Sequence, residues 1–468
     1  MKIFPGSGNT FRWLLIGGNL YLVAYFFLAL LFYKERIFLD GSYYFFHVVQ
    51  GSTFHVEHQR FILAVSQLLA VIGTWLHLSL NTILLLNSMN PVFYLWILFL
   101  LSIFWLKHEG LARALLLSSV CGIYFIWFCQ MYEVWYGCVL LIFFAGVLER
   151  KLYFTVIQKI IFGILLVTLL FSYPLIFIGV IYFSISHFVK ERNMTRGVAV
   201  IYVLSFAVWL VWKYFFLSDY ETGKIGYPLS RVGTTLHENF SSPGDLKNLL
   251  NFLFQIYPEE MLMLIVTVVF LVVRKEKLQA LLLSGFVIAF ILLINLTQPQ
   301  PWNHTNYFER MYLLLIPLCI VPFFLKTFLL IKNKYLVELA VVAIVITRLT
   351  QIVQHEKDYS GHMKELEMLI TRAQQNSGSK FMVDFAKHPE LSSLDEWSFP
   401  MEALIFSSLE NNQHSVTLSW KADNQNPDLA KPLSDTKFRL RLDEIYPDDW
   451  LNQRYFHLKH GVYEELNW

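Results

Sequence analysis

Apolar segments of about 20 residues recur along most of this chain, and they constrain its fold more than any other feature. Hydrophobic residues make up 56% of the 468 positions and charged residues only 15%, whereas an ordinary soluble domain is about 25% charged. A helix of about 20 apolar residues matches the hydrocarbon thickness of a bilayer. The sequence therefore predicts an all-α polytopic membrane bundle.

The candidate spans follow one another up to residue 353 and predict about 11–13 transmembrane helices. They cover residues 13–33, 61–80, 82–106, 112–130, 134–148, 158–172, 174–189, 198–217, 259–273, 279–295, 311–331 and 334–353. The first span follows Lys2 and Arg12 and lacks a small-residue cleavage site. We therefore expect it to remain uncleaved, with its amino end in the cytoplasm.

Basic residues cluster at every second turn between these segments, and such clusters stay on the cytoplasmic side of a membrane. The clusters are Arg150/Lys151/Lys159, Lys190/Arg192/Arg196, Arg274/Lys275/Lys277 and Lys332/Lys334. The turns at 131–135, near 173, at 218–258 and at 296–310 are then extracytoplasmic. Residues 61–106 must cross an odd number of times, which conflicts with two spans there, and the polar run 87–91 is a candidate re-entrant break.

The region from residue 355 differs from the rest, because charge rises and turn residues appear. Alternation predicts strands near 380–385, 415–420 and 437–442, and an apolar stripe predicts a helix at 356–375. The sequence therefore predicts two domains, a multi-pass transmembrane domain at 1–354 and a small extracytoplasmic α/β domain at 355–468.

Composition and spacing exclude several other classes of protein. The four cysteines all lie in apolar segments, which favours buried thiols over a disulfide framework or a zinc site. The net charge is only +2, and neither a phosphate-binding glycine loop nor a nucleic-acid motif is present. We therefore expect no nucleic-acid partner.

Asp40 is the first candidate catalytic residue, because it lies just beyond the first span and precedes Tyr43 and Tyr44, which are candidate substrate-loop residues. A carboxylate at a membrane surface can act as a general base or hold a metal ion. The alternative is a solvated acid that caps a short helix.

Glu133 lies between two apolar stretches in a turn predicted to face the same side as Asp40. An ionisable residue at that depth is costly and is a functional candidate by default. It could orient an acceptor or a cation. The alternative is an interfacial glutamate within a belt of aromatic residues.

Two arginines at the heads of predicted spans, Arg310 and Arg60, are candidates for binding a lipid phosphate. The loop before Arg310 is rich in polar and aromatic residues and supplies the candidate substrate-loop residues Trp302, His304 and Glu309. The alternative is a snorkelling arginine paired with Glu309.

The first predicted external loop, residues 35–60, also carries His55 and His58 on either side of Glu57. They could orient an acceptor or bind a divalent cation, or they could be ordinary polar loop residues.

The segment 218–258 is long enough to form a lid. The alternative for it is a surface loop with an interfacial helix at 246–256.

The layout of residues 1–355 resembles the GT-C superfamily of integral-membrane glycosyltransferases. The resemblance rests on an early external Asp40 followed by aromatic residues, many spans, a late external Arg310 and a final soluble domain. It implies transfer of a hexosyl or pentosyl group from a polyprenyl-phosphate donor to an extracytoplasmic acceptor. Gly41 follows Asp40 where many members carry a second acid, so metal dependence stays open.

By that resemblance, Asp40 is the catalytic carboxylate, Glu133 is a second external acid, and Arg310 or Arg60 contacts the donor phosphate. The implied partners are a polyprenyl-phosphate sugar, membrane lipid and proteins of the cell envelope. No cofactor is indicated apart from a possible divalent cation. We expect a bacterial inner-membrane location. A lipid or solute transporter and a non-catalytic envelope scaffold are the alternatives.

Overall fold

The computed structural model describes residues 9–129, 133–191, 195–303, 305–331, 333–394, 397–410, 414–421, 433–441 and 444–466. Within these ranges the chain is mostly helical, with a small region of strands near its carboxyl end. The helices of the larger part are α1 (Asn9–Leu31), α2 (Asp40–Gly51), α3 (Ile62–Ser66), α4 (Leu68–Trp75), α5 (Leu80–Phe104), α6 (Glu109–Leu117), α7 (Glu133–Glu149), α8 (Val156–Leu170), α9 (Ile176–Glu191), α10 (Arg196–Phe216), α11 (Asp219–Phe240), α12 (Pro243–Ile256), α13 (Pro258–Val273), α14 (Lys277–Thr297), α15 (Asn306–Tyr312), α16 (Leu315–Pro322) and α17 (Lys334–Gln374).

Five described helices, α1, α5, α10, α14 and α17, are long and apolar enough to cross a membrane by length and composition. The pair α12 and α13, which is bent by 96°, would make a sixth. This is fewer than the 11–13 predicted, because several predicted segments form helices of only 15 to 17 residues, such as α7, α8 and α9.

Polar caps set the starts of the apolar helices. Ser79 caps α5 and Thr195 caps α10, each by accepting a hydrogen bond from a backbone amide of the first turn. Thr155 and Ser242 form capping boxes at α8 and α12. Such caps satisfy amides that the first turn of a helix leaves without a partner.

The structure corrects the prediction of two spans in residues 61–106. Residues 61–80 form the short helices α3 and α4, and α4 ends before a turn in which His77 has a φ of 58°. One long helix, α5, follows, and it continues through Pro91. The break therefore lies at the turn after α4 and not at the predicted 87–91, and one helix long enough to cross a membrane remains in this range.

Two further segments differ from the sequence prediction. The predicted span 112–130 consists of the end of α6 followed by the buried, irregular segment 118–129. Irregular backbone of this kind is tolerated where surrounding protein satisfies its polar groups. The segment 218–258 is also not a loop, because α11 precedes the predicted helix near 246–256, which is confirmed as α12.

The helix α17 has 41 residues and is about 60 Å long. The predicted span 334–353 and the predicted helix 356–375 are thus one continuous element. That length is about twice the thickness of a bilayer core. The second half of α17 is the first element of the carboxyl-terminal region, which begins at residue 355.

After α17, the described part of the carboxyl-terminal region contains one α-helix, two short 3₁₀ helices (Pro389–Leu394 and Asp448–Trp450) and two small sheets. Its elements are β1 (Lys380–Val383), α18 (Phe399–Glu410), β2 (Thr417–Trp420), β3 (Lys437–Arg441), β4 (Glu444–Pro447) and β5 (Glu464–Glu465). The strands β2, β1 and β5 form a parallel sheet in that order, and β3 and β4 form an antiparallel pair. The strands predicted near 380–385, 415–420 and 437–442 are confirmed as β1, β2 and β3.

The carboxyl-terminal region and the helix α2 share a hydrophobic core. Phe46 of α2 packs against Phe456, with ring centroids 5.3 Å apart. Gln50 accepts a hydrogen bond of 2.8 Å from the Asn452 amide, and the Asn452 side chain donates to the Val49 carbonyl. The helix that begins at Asp40 is therefore held against this region, which fixes its place in the fold.

Candidate functional site

Asp40 and Arg310 form an ion pair, although 270 positions separate them in the chain. Asp40 is the first residue of α2, and Arg310 lies in the short helix α15. A guanidinium nitrogen of Arg310, Nη1, donates to Asp40 Oδ2. Both side chains are only partly buried, so the pair borders accessible space.

Asp40 does not cap its helix, and Arg310 does not pair with Glu309. The residue at the cap position of α2 is Leu39, and no side chain caps the helix there, so Asp40 is not its N-cap. Arg310 pairs with Asp40, whereas Glu309 accepts hydrogen bonds from the backbone amides of Tyr124 and Ile126 at 3.1 and 3.0 Å. Glu309 therefore anchors the irregular segment.

Arg60 and Glu133 form a second ion pair, with a distance of 2.6 Å between Nη1 and Oε1. Glu221 of α11 lies 4.0 Å from Arg60 Nε and accepts a hydrogen bond of 2.7 Å from Lys213. The guanidinium of Arg60 also lies over the ring of Tyr173, 4.8 Å from its centre. Two basic and two acidic side chains therefore alternate in one mostly buried row.

The two ion pairs are close enough to affect each other. Burial opposes the charge of Arg310, but the carboxylates of Asp40 and Glu133 outweigh it and raise the pKa of the guanidinium further above its usual range. Burial, followed by the charges of Glu133, Glu57 and Asp40, raises the pKa of Tyr44 well above its usual value. We refer to Asp40, Arg60, Glu133, Glu221 and Arg310 as the charge cluster.

Glu57 occupies the centre of the first loop. It accepts hydrogen bonds from the hydroxyls of Tyr43 and Tyr44 at 2.6 and 3.4 Å. His55 Nε2 lies 3.3 Å and His58 Nε2 lies 3.9 Å from its carboxylate oxygens. The predicted orienting histidines and candidate substrate-loop tyrosines thus converge on an acid that sequence analysis did not select.

Burial and neighbouring side chains shift the pKa of both Glu57 and His47. Burial opposes ionisation of Glu57, but bonds to His55 and Tyr43 outweigh it and lower the pKa of Glu57 to about 2. Burial, together with the neighbouring His55, lowers the pKa of His47 to about 3. The rings of His47 and His55 stack with centroids 4.2 Å apart. An ionised Glu57 and a neutral His47 of α2 therefore both contact the ring of His55.

The described residues contain no group of three or more His, Cys, Asp and Glu side chains arranged to hold a metal ion. Asp40 and Glu133 each bond to an arginine instead.

The loop at 296–310 supplied two further candidate residues. Trp302 is half-buried against the bundle core, and His304 lies outside the described residues.

Several residues that build the site were missed by sequence reasoning. Arg36 is fully buried and donates to the Ser88 hydroxyl at 3.0 Å and to the Trp127 carbonyl at 3.2 Å, which ties the first loop to α5 and to the irregular segment. Glu221 completes the charge cluster. Arg36 and Glu221 are each recognisable in the sequence as a charged residue in a loop between predicted spans. The sequence does not show which residues they contact.

Comparison with known proteins found no matching family model, no similar curated protein and no similar solved structure. Since a fold alone does not specify an activity, the function has to be argued from the chemistry of the site.

Proposed function

We propose that this chain is a membrane glycosyltransferase that moves a hexosyl or pentosyl group from a polyprenyl-phosphate donor to an extracytoplasmic glycan, lipid or protein. The observation that carries the proposal is the contact between Asp40 and Arg310. Asp40 is the residue expected to act on the acceptor, and Arg310 is one of the two arginines expected to bind the donor phosphate. A transferase needs both groups at a single reacting centre.

The outward faces of the long helices support a membrane location. In α10, Val203, Leu210 and Phe215 are 67%, 59% and 68% exposed, and large apolar side chains are exposed in the same way along α17 at Leu336 and Leu339. Apolar surface of this extent is costly in water and favourable in lipid. We assign the chain to a bacterial inner membrane.

The distribution of charged residues supports one orientation of the chain across the membrane. The helix α7 begins at Glu133 in the charge cluster and ends at Glu149, roughly 24 Å away. Glu149 pairs with Lys190, and the nearby Lys151 pairs with Glu191. Since basic turns favour the cytoplasm, the charge cluster and the carboxyl-terminal region are assigned to the extracytoplasmic side.

The chemistry would proceed in a single displacement. An acceptor hydroxyl attacks the anomeric carbon, its proton passes to the Asp40 carboxylate, and the bond from that carbon to the phosphate oxygen breaks. The departing polyprenyl phosphate carries the developing negative charge, which the Arg310 guanidinium stabilises. One displacement inverts the configuration of the anomeric carbon.

The ion pair between Asp40 and Arg310 would have to open when the donor binds. Arg310 cannot direct the same N–H groups to Asp40 and to a phosphate. Arrival of the donor phosphate would therefore release Asp40 and leave it free to accept a proton. Arg60, which is balanced by Glu133 and Glu221, is the second cation available to the phosphate.

A non-catalytic envelope scaffold is the second candidate, and the same contact favours it, because Asp40 and Arg310 already satisfy each other. An ion pair that only holds the fold would tolerate exchange of its two charges. A catalytic base and a phosphate ligand would not, because each role depends on the position of its charge.

The test is mass spectrometry of envelope glycans and glycolipids from cells that lack this chain. The cells are complemented with the wild type, with Asp40→Asn, or with the charge-exchanged pair Asp40→Arg and Arg310→Asp. A transferase is indicated if the wild type alone restores a missing sugar at equal protein abundance. The mass difference then identifies the sugar class. If the charge-exchanged chain restores the profile as well as the wild type, the scaffold is the correct function.

A further inference from the structure

The turn that presents Asp40 has an unusual residue at its second position. Gly41 donates a backbone hydrogen bond of 3.0 Å to the Phe38 carbonyl, and Leu39 between them has φ 52° and ψ −120°. These angles are those of the first central residue of a type II′ turn, a position that glycine strongly favours. A leucine in this conformation is strained and persists only where surrounding contacts hold it.

The contact that holds Leu39 comes from the carboxyl-terminal region. The amide of Leu39 donates a hydrogen bond of 3.1 Å to Oε1 of Glu402 in α18. Glu402 is almost fully buried, and Oε1 also accepts a bond of 2.7 Å from the Ser398 hydroxyl. A buried carboxylate that accepts a backbone amide in this way fixes the position of that amide strongly.

A histidine balances the charge of this buried carboxylate. His362 of α17 lies with Nε2 2.7 Å from Glu402 Oε2 and with Nδ1 3.0 Å from the Ser393 carbonyl. Both ring nitrogens therefore face acceptors, which is the arrangement that suits an imidazolium. The same ring packs edge-on against Phe38, 4.9 Å away. Both the carboxylate and its counter-charge thus contact the turn before Asp40.

We propose that Glu402 is a positioning residue for Asp40, and that the carboxyl-terminal region serves to hold the Phe38–Gly41 turn in the conformation that directs Asp40 at Arg310. The catalytic purpose of this anchor rests on the function proposed above, whereas the anchor itself does not. Lys34, which pairs with Glu367 of α17 at 3.3 Å, adds a second link between the same loop and the same region.

The anchor is tested by hydrogen exchange, read by mass spectrometry on the full chain in lipid nanodiscs. Glu402→Ala removes the acceptor, so the amides of Leu39 and Gly41 should exchange at least tenfold faster. Glu402→Gln keeps a carbonyl acceptor for Leu39 and an amide that can donate to a neutral His362, so exchange should stay near that of the wild type. Wild-type exchange in Glu402→Ala would overturn the proposal.

A second variant addresses the possibility that Glu402→Ala does not accumulate. Glycine adopts the Leu39 conformation without strain, so Leu39→Gly combined with Glu402→Ala should restore both protein abundance and protection of the Gly41 amide. Failure of the double variant to accumulate would mean that Glu402 supports the whole fold and not this turn, and the proposal would be wrong.

Glycan analysis of the same variants separates this proposal from the proposed function. If Glu402→Ala opens the turn and loses the sugar as Asp40→Asn does, with recovery in the double variant, both stand. If Glu402→Ala opens the turn but neither Glu402→Ala nor Asp40→Asn alters the glycans, the anchor is supported and the proposed transferase is wrong. If Asp40→Asn loses the sugar while Glu402→Ala, with its turn open, retains it, positioning by Glu402 is wrong.

Discussion

Arg60 donates a hydrogen bond of 2.6 Å to Glu133, which joins the end of the first loop to the first residue of α7. Glu221 lies on the other side of the guanidinium and is itself paired with Lys213. The row therefore carries two positive and two negative charges. This neutrality allows four ionised groups to share a mostly buried site, because each charge has a partner.

We expect Glu133→Gln to destabilise the chain by about 2 kcal/mol, because it removes a charged acceptor from a nearly buried guanidinium. The measurement is the thermal unfolding midpoint of the purified chain in detergent. The matched control is Glu149→Gln, which breaks a pair of similar length, 2.9 Å, at a more exposed place. An exposed pair contributes about 0–1 kcal/mol. Equal shifts for the two variants would show that the Arg60 pair adds little.

The carboxylate of Glu309 should prove structural. It accepts the amides of Tyr124 and Ile126, two buried backbone donors of the irregular segment. Glu309→Ala leaves both without that acceptor, at a cost of about 1–3 kcal/mol for each, so we expect a large fall in the unfolding midpoint. Glu309→Gln retains one oxygen that can accept both amides and should lose much less. Similar losses in the two variants would indicate that the negative charge matters more than the acceptor.

The sequence predicted the helical class and the three main strands well, because both follow from local periodicity. It misplaced the break in residues 61–106, since the apolar runs of α3, α4 and α5 look alike whether they cross a bilayer or pack beside it. It also treated 218–240 as a loop, although the Ser218 hydroxyl caps α11. Composition does not distinguish a polar helix from a polar loop.

The members of the candidate site could be selected from sequence, but their pairing could not. Asp40, Arg60, Glu133 and Arg310 stand out as ionised groups beside apolar segments. Which acid meets which arginine depends on how helices from distant parts of the chain pack. Glu402 was not selected for the same reason, because only the folded chain brings it near the amide of Leu39. Glu57 was not selected although His55 and His58 lie within two positions of it, because their spacing matches no established metal-ligand pattern.

Stability should depend on pH through His47. Its pKa is lowered to about 3, whereas an unfolded histidine titrates near 6.5. The folded chain therefore binds fewer protons, so the contribution of His47 is complete above about pH 6.5 and is lost as the pH falls toward 3. We expect a loss of at most about 1.4 kcal/mol per pH unit in that window.

The measurement is the unfolding midpoint between pH 6.5 and 5, which lies above the titration of ordinary carboxylates. His47→Phe should reduce the dependence, since it removes one of the groups that must stay neutral. His237→Gln changes an exposed histidine and should leave the slope unaltered. A His47→Phe chain with the wild-type slope would assign the pH dependence to another group.

Binding of the donor phosphate should respond in opposite directions to the two members of the Asp40–Arg310 pair. Arg310→Lys keeps a positive charge but loses the planar fork that binds a phosphate at two points, so we expect polyprenyl phosphate to bind at least tenfold more weakly, or about 1.4 kcal/mol. Asp40→Asn removes the group that competes for Arg310 and should tighten binding while abolishing transfer. The measurement is the Kd of polyprenyl phosphate for the chain in nanodiscs, with Glu149→Gln as the control. If Asp40→Asn weakens binding as much as Arg310→Lys does, the carboxylate helps to build the phosphate site, and the exchange of partners proposed for Arg310 is wrong.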